Sequence, residues 1–234
     1  MNDLITRVLR ARKVLLGRDF YQFRQIRKSR QTLGTRYAAW TYCPDKVDSD
    51  SVIYSFGVGE DISFDLGLIS NYKLEVHAFD PSPRSIKWVG KQEIADAFIF
   101  YAYGLAGKDG EITFSEPEEP GAHSLKMNGN SKGGGDQRTH VLPVHSLSTV
   151  LETLGHKRID ILKMDIEGAE YEVIDDIISA PVPISQVLIE FHHRFKNLGV
   201  GKTREAISKL NKAGFRIFNV SASGEEISFI NTRF

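Results

Sequence analysis

Three carboxylates, Asp165, Glu167 and Glu170, follow directly on an apolar run in the segment IDILKMDIEGAEYEVI at 159–174. Ile159, Ile161, Leu162 and Met164 read as a strand covered on both faces, and Ala169, Val173, Ile174, Ile177 and Ile178 then recur at helical spacing. The acids therefore fall at or just past the carboxyl end of a buried strand. Ligands of open α/β sheets bind in the crevice outside those ends, so acids placed there suit chemistry better than acids on a helix flank. The simpler use of Asp165 or Glu167 is to cap the next helix, worth roughly 1 kcal/mol.

Lys163 tips the balance towards chemistry, because a lysine inside a strand is costly to bury unless a carboxylate or a bound substrate meets its ammonium group. A second buried run, QVLIEF at 186–191, carries Glu190 and leads into His192. Laid beside the first strand, it would bring Glu190 next to Lys163 and His192 next to Asp165. Alternation puts Lys163 and Asp165 on one face of their strand, and Glu190 and His192 on one face of theirs.

The elements that must position these groups form an α/β pattern. Strands are expected at 51–57, 74–79, 97–103 and 139–144, before the two motif strands. Helices are expected from 62, from Ser82-Pro83, over 149–154 up to Gly155, and over 203–213. The third connection looks rebuilt: Lys108-Asp109-Gly110 is a turn, and 111–115 alternates like a hairpin strand. Residues 116–137, with NGNSKGGGDQ, are too glycine-rich and polar to pack, and read either as a mobile loop that folds over a substrate or as a disordered insertion. Two last strands, 215–220 and 226–230, are joined so tightly that they must be antiparallel.

The chain has 234 residues, 41% of them apolar, enough for one domain with an added terminal segment. Residues 1–50 are expected to form a basic amphipathic helical extension and connector, and 51–234 the main domain. Residues 1–36 hold ten Lys or Arg against Asp3 and Asp19, so a net charge of zero leaves the remainder at minus eight. Leu4, Ile5, Val8, Leu9, Leu15, Leu16, Phe20 and Phe23 give the arm an apolar face among Arg7, Arg10, Arg12, Lys13 and Arg18. Such a helix would dock on its own acidic body or pair in a homo-oligomer, in preference to an anionic membrane surface or nucleic acid. No run approaches the ~20 apolar residues of a membrane span. The amino terminus lacks a secretory pattern, and the single cysteine, Cys43, fits a cytoplasmic setting.

A glycine turn, Gly57-Val58-Gly59, follows the first strand, and Asp80 lies 21 residues beyond Gly59 at the end of the second. That order of strand, turn, helix and acid suggests an adenosine-containing ligand whose ribose hydroxyls donate to Asp80. The third glycine of a dinucleotide fingerprint would fall near Ile62, and Glu60 and Asp61 would repel a pyrophosphate, which disfavours NAD. S-adenosylmethionine, with its ammonium and sulfonium, suits those acids.

VIYSFGVGEDISFDLGLI (52–69), VHAFDPSPRSIKWV (76–89) and IDILKMDIEGAEYEVI resemble the FkbM-type S-adenosylmethionine-dependent methyltransferases, supported by GLAGKDGEITF (104–114) and VLIEFHH (187–193). The resemblance spans about residues 50–230. It implies a class I methyltransferase (Rossmann-like) fold, a seven-stranded mostly parallel sheet closed by an antiparallel C-terminal hairpin. In it Gly57 and Gly59 contact the methionine portion and Asp80 the ribose, with Phe56 and Glu60 flanking the same turn. Members commonly methylate hydroxyl groups of sugars, polyketides and other secondary metabolites. Ser146, before Leu147, stands where the family often has Asp, and the basic arm is not a family hallmark.

Methyl transfer is an in-line displacement on the sulfonium, so a substrate oxygen must be aligned and lose its proton. His192 is the expected base, with Asp165 orienting it or the substrate and Lys163 steadying oxyanion charge. Glu167 and Glu190 are alternative bases or substrate ligands, and His192 and His193 each have a structural reading. Asp165, Glu190 and His192 could also gather a hard divalent cation, although no tight ligand spacing demands it and metal is not favoured. The basic arm allows RNA methylation, but no Asn-Pro-Pro motif of exocyclic-amine methyltransferases is present. A non-catalytic adenosine-ligand scaffold is the reading from another class. So many acids and bases at one strand edge argue against it.

Overall fold

A computed structural model describes residues 3–115, 126–127, 139–195 and 198–234. Most of the glycine-rich segment at 116–137 lies outside the described residues. Seven strands form the central sheet: β1 (Ile53–Phe56), β2 (Val76–Phe79), β3 (Phe98–Tyr101), β4 (Ile159–Met164), β5 (Ile184–Glu190), β6 (Phe215–Val220) and β7 (Glu226–Asn231). Their order is β3-β2-β1-β4-β5-β7-β6. The first five are mutually parallel, and β7 pairs antiparallel with both β5 and β6. This is the mostly parallel Rossmann-like sheet with a closing hairpin that the sequence implies.

The strands read as continuous apolar runs because helices and connectors cover both faces. Tyr54, Phe56, Leu162, Met164, Val187 and Ile189 pack to one side. There they meet α4 (Leu147–Leu154), α5 (Glu170–Ser179) and α6 (Gly199–Lys212). The intervening Ile53, Ile161 and Leu188 pack to the other, with α2 (Ser63–Tyr72) and with Trp40, Tyr42 and Cys43 of the connector. Lys163 sits on that second face. A short helix, α3 (Pro83–Val89), begins at a Ser82 cap immediately after Asp80. The rebuilt third connection is a side sheet of Gly104–Leu105, Gly110–Ser115, Lys126–Met127 and Thr139–His145.

The amino-terminal arm joins the body by polar contacts and by the chain that follows its helix, α1 (Asp3–Leu15). Arg10 turns inward, donating to the Phe20 carbonyl at 2.9 Å and facing the Asp19 carboxylate at 3.6 Å. Phe20 enters the main core, and the Gln25 N–H donates to the Ile217 carbonyl at 2.7 Å. Ile5, Val8, Leu9, Leu15 and Leu16 face outward. Docking thus runs through Arg10 and residues 19–26 and leaves the apolar stripe of α1 uncovered. Among the described residues, no helix is long and apolar enough to cross a membrane.

Candidate active site

The glycine turn after β1 is pressed against the end of β4. Gly57 and Gly59 both have positive φ, 79° and 59°. A Cβ on Gly57 would lie 1.7 Å from the Asp165 carbonyl oxygen, whereas one on Gly59 would meet no atom within 4 Å. Gly57 therefore serves both backbone conformation and close approach, and Gly59 conformation alone. The Asp165 N–H donates to the Phe56 carbonyl at 3.0 Å and the Gly57 N–H to the Phe79 carbonyl at 2.9 Å, which ties three strand ends together. Asp80, at the tip of β2, accepts from the Gly59 N–H at 2.9 Å and the Ser82 N–H at 2.8 Å. Its carboxylate is thereby aimed across the turn, with lone pairs remaining for hydroxyl donors.

A cleft of about 980 Å³ runs from this turn and Asp80 to Asp165, Glu167, Glu190 and Glu226. Lys163 lines its floor. Its ammonium donates to the Gly57 carbonyl at 2.6 Å and lies 5.2 Å from the centre of the Trp40 ring. The register differs here from the sequence expectation. Lys163 is level with Leu188 and Met164 with Ile189, so Glu190 falls beside Asp165 and not beside Lys163. The burial of Lys163 is offset by backbone carbonyls, an aromatic face and the nearby charges of Asp65 and Asp165.

His192 reaches Asp165 as expected, with Nε2 3.6 Å from Asp165 Oδ1 and 3.5 Å from Glu167 Oε2. On its other side Nδ1 lies 3.3 Å from Oε1 of Glu170, a fully buried carboxylate that also accepts the His192 N–H at 2.8 Å. Burial alone would lower the imidazole pKa, but the bond and charge of Glu170, with the charges of Glu167 and Asp165, raise it to about 10. Burial raises the Asp165 carboxyl, partly countered by Lys163 and His192. Glu190 is raised well above the ordinary range by burial and by the charges of Asp165 and Glu226. The acidic end of the cleft thus holds groups with high proton affinity in an otherwise apolar sheet edge.

A methyltransferase FkbM domain model matches residues 52–217, which covers both the glycine turn and the acidic strand ends. The chain belongs to the FkbM methyltransferase family. Among relatives of this FkbM chain, probable methyltransferase-like protein 24 of Rattus norvegicus and of Homo sapiens are each 26% identical over 178 residues, 71% of this chain. The match spans only 42% of those two proteins' own length. The hexuronic acid methyltransferase AglP of Haloferax volcanii is 26% identical over 176 residues, 72% of this chain and 70% of AglP. A crystal structure of methyltransferase FkbM from Methylobacillus flagellatus KT superposes with a TM-score of 0.47 at 12% identity, over 79% of this chain and 44% of that one.

Within the FkbM domain, the residues singled out in the sequence divide by position. Gly57, Gly59 and Asp80 meet at one end of the cleft, and Asp165, Glu167 and Glu190 line the other, with His192 buried against Asp165 and Glu167. The Phe56 ring is fully buried and stacks on Phe79, so only its backbone lies close to the turn. Glu60 pairs with Arg84, and Asp61 accepts from the Ser63 N–H at 2.9 Å and from Thr35. His193 points away from the cleft, its Nε2 3.4 Å from buried Asp19, in line with its structural reading.

Two contributors escape the sequence reading. Glu226 stands level with Glu190 across the antiparallel β5–β7 pair, and Trp40 comes from the connector, far from either motif in sequence. The tight joint before β7 signals a hairpin but not its neighbour. Pairing β7 with β5 would have exposed the Glu190–Glu226 juxtaposition.

Proposed function

We propose that this chain transfers the methyl group of S-adenosylmethionine to a hydroxyl oxygen of a sugar, glycan or related metabolite. The observation that carries the reading is the single cleft with a ribose-suited carboxylate, Asp80, at one end and a cluster of proton-binding side chains at the other. Gly57 and Gly59 let the chain approach the methionine portion, and Asp80 accepts from the ribose hydroxyls. Next to it the acceptor hydroxyl sits against Asp165 and Glu190. Its oxygen forms the new C–O bond as the S–C bond breaks, and its proton passes to a cluster carboxylate. Glu170 at Nδ1 orients His192, whose Nε2 faces Asp165 and Glu167 and completes the cluster. Lys163 acts on the floor, fixing the Gly57 carbonyl and lending positive charge.

The name of AglP, a hexuronic acid methyltransferase, supports a sugar acceptor. The alternatives of RNA methylation or a non-catalytic scaffold have no specific support in the cleft. Calorimetry tests the cofactor: S-adenosylmethionine and its demethylated product should bind with micromolar affinity and NAD weakly. Preference for NAD would refute the assignment.

A further inference from the structure

We propose that Asp165, Glu190 and His192 form a binding site for one divalent first-row cation of the manganese class, which presents the acceptor's oxygen to the cofactor. The inference rests on the methyltransferase reading for its purpose and on side-chain geometry for its existence. One ligand atom from each of the three residues lies within 4.8 Å of the others. Ligands about 2.0–2.2 Å from one ion stand ~3 to 4.4 Å apart, so a few tenths of an ångström of side-chain rotation closes the set. Asp165 is free to make that adjustment, being one-third exposed to the cleft.

The imidazole provides the second observation. His192 is 7% exposed, and Glu170, fully buried, accepts from its main chain and holds Nδ1. A carboxylate at Nδ1 fixes that nitrogen as the N–H, so Nε2 is the atom that gives up its proton to an incoming ion, the second-shell arrangement of metal-bound histidines. Nε2 is aimed between Asp165 and Glu167 at 3.6 and 3.5 Å, too far for good hydrogen bonds and close to the spacing of neighbouring ligands on a metal. Two adjacent strand ends converge there: Asp165 follows β4, and Glu190 and His192 lie at and just past the end of β5. Glu226 adds a further charge from β7. Lys163 contributes the opposing charge, with its ammonium held at the Gly57 carbonyl.

Two carboxylate oxygens and one imidazole nitrogen suit Mn²⁺ and neighbouring ions, and the open side faces the cleft. An ion there would bind adjacent oxygens of a sugar and lower the pKa of the one to be methylated.

The test uses the full chain, freed of metal by chelation and titrated with MnCl₂ alone, without cofactor or acceptor. Electron paramagnetic resonance of free Mn²⁺ should reveal one site, and spin-echo modulation should show coupling to an imidazole nitrogen. His192→Gln should abolish that coupling, and Glu190→Gln should weaken binding at least tenfold. Asp175→Asn, a surface change, should do neither. Absence of bound Mn²⁺ at millimolar concentration, or a bound ion whose spectrum lacks nitrogen coupling or keeps it in His192→Gln, overturns the site. Calorimetry with S-adenosylmethionine on the same metal-free protein reads the cofactor assignment separately, so the two can fail independently.

Discussion

Gly57 and Asp165 are joined by a contact that leaves no room for a side chain: a Cβ on the glycine would lie 1.7 Å from the aspartate's carbonyl oxygen. The glycine turn and the acidic strand end are therefore one mechanical unit, and displacing either moves the other.

The two glycines of the turn should separate in mutagenesis. Gly57→Ala must move the main chain of β4, with an expected loss of about 3 kcal/mol or failure to fold. Gly59→Ala, with open space around it, should cost only the left-handed backbone penalty of about 1 kcal/mol. Denaturant midpoints of the two variants check this, and equal losses would contradict it.

Asp80→Ala should weaken S-adenosylmethionine by about 1–3 kcal/mol through the lost charge-assisted ribose bonds. The domain should remain folded, because the substitution frees only the Gly59 and Ser82 N–H groups at a solvent-facing turn. Calorimetry with unchanged affinity would remove Asp80 from the cofactor site.

The amino-terminal arm should prove structural. The Asp19 side chain is buried, with Arg10, Arg194 and His193 around it, and removing it strands those groups. Asp19→Ala should cost on the order of 3 kcal/mol, the scale for breaking a buried ion pair. Deleting residues 1–30, which include Phe20 and Gln25, should lower the melting temperature further. An equally stable truncation would contradict this account.

His77 predicts an acid sensitivity. Burial, with the charge of His156, lowers its pKa to about 4. Between the unfolded value near 6.5 and that folded value, the unfolded chain binds a proton that the folded one refuses. Stability from this group is therefore complete above about pH 6.5, is lost as pH falls to about 4, and sums to about 3 kcal/mol. His77→Gln should show a smaller drop in denaturation midpoint between pH 7 and pH 4.5 than the parent. Parallel profiles would exclude His77 as a source.

Much of this was legible because the signals are local. Continuous apolar runs fixed the strands, Ser82-Pro83 marked the start of α3, and acids after IDILKM marked the sheet edge. Register was not legible, because a two-residue slip keeps every side chain on its own face and a continuous apolar run offers no landmark against it. Glu190 was thereby paired with the wrong neighbour. The same apolar pattern in α1 suggested an inward face, whereas the buried side chain is Arg10, drawn by Asp19 and the Phe20 carbonyl at long range. The charge state of His192 depends on Glu170, 22 residues away, which only the folded arrangement brings to Nδ1.

The central claim is methyl transfer from S-adenosylmethionine to a hydroxyl at the Asp165 end of the cleft, and methyl-labelled cofactor tests it most directly. With hexuronic acids and other sugars as acceptors, the parent should place label on an acceptor oxygen. Asp165→Asn should lower turnover about 10²- to 10⁴-fold, the scale for loss of acid–base function, with calorimetric cofactor affinity nearly unchanged. Label transferred at the parent rate by Asp165→Asn, or a parent that binds no S-adenosylmethionine, would contradict the account.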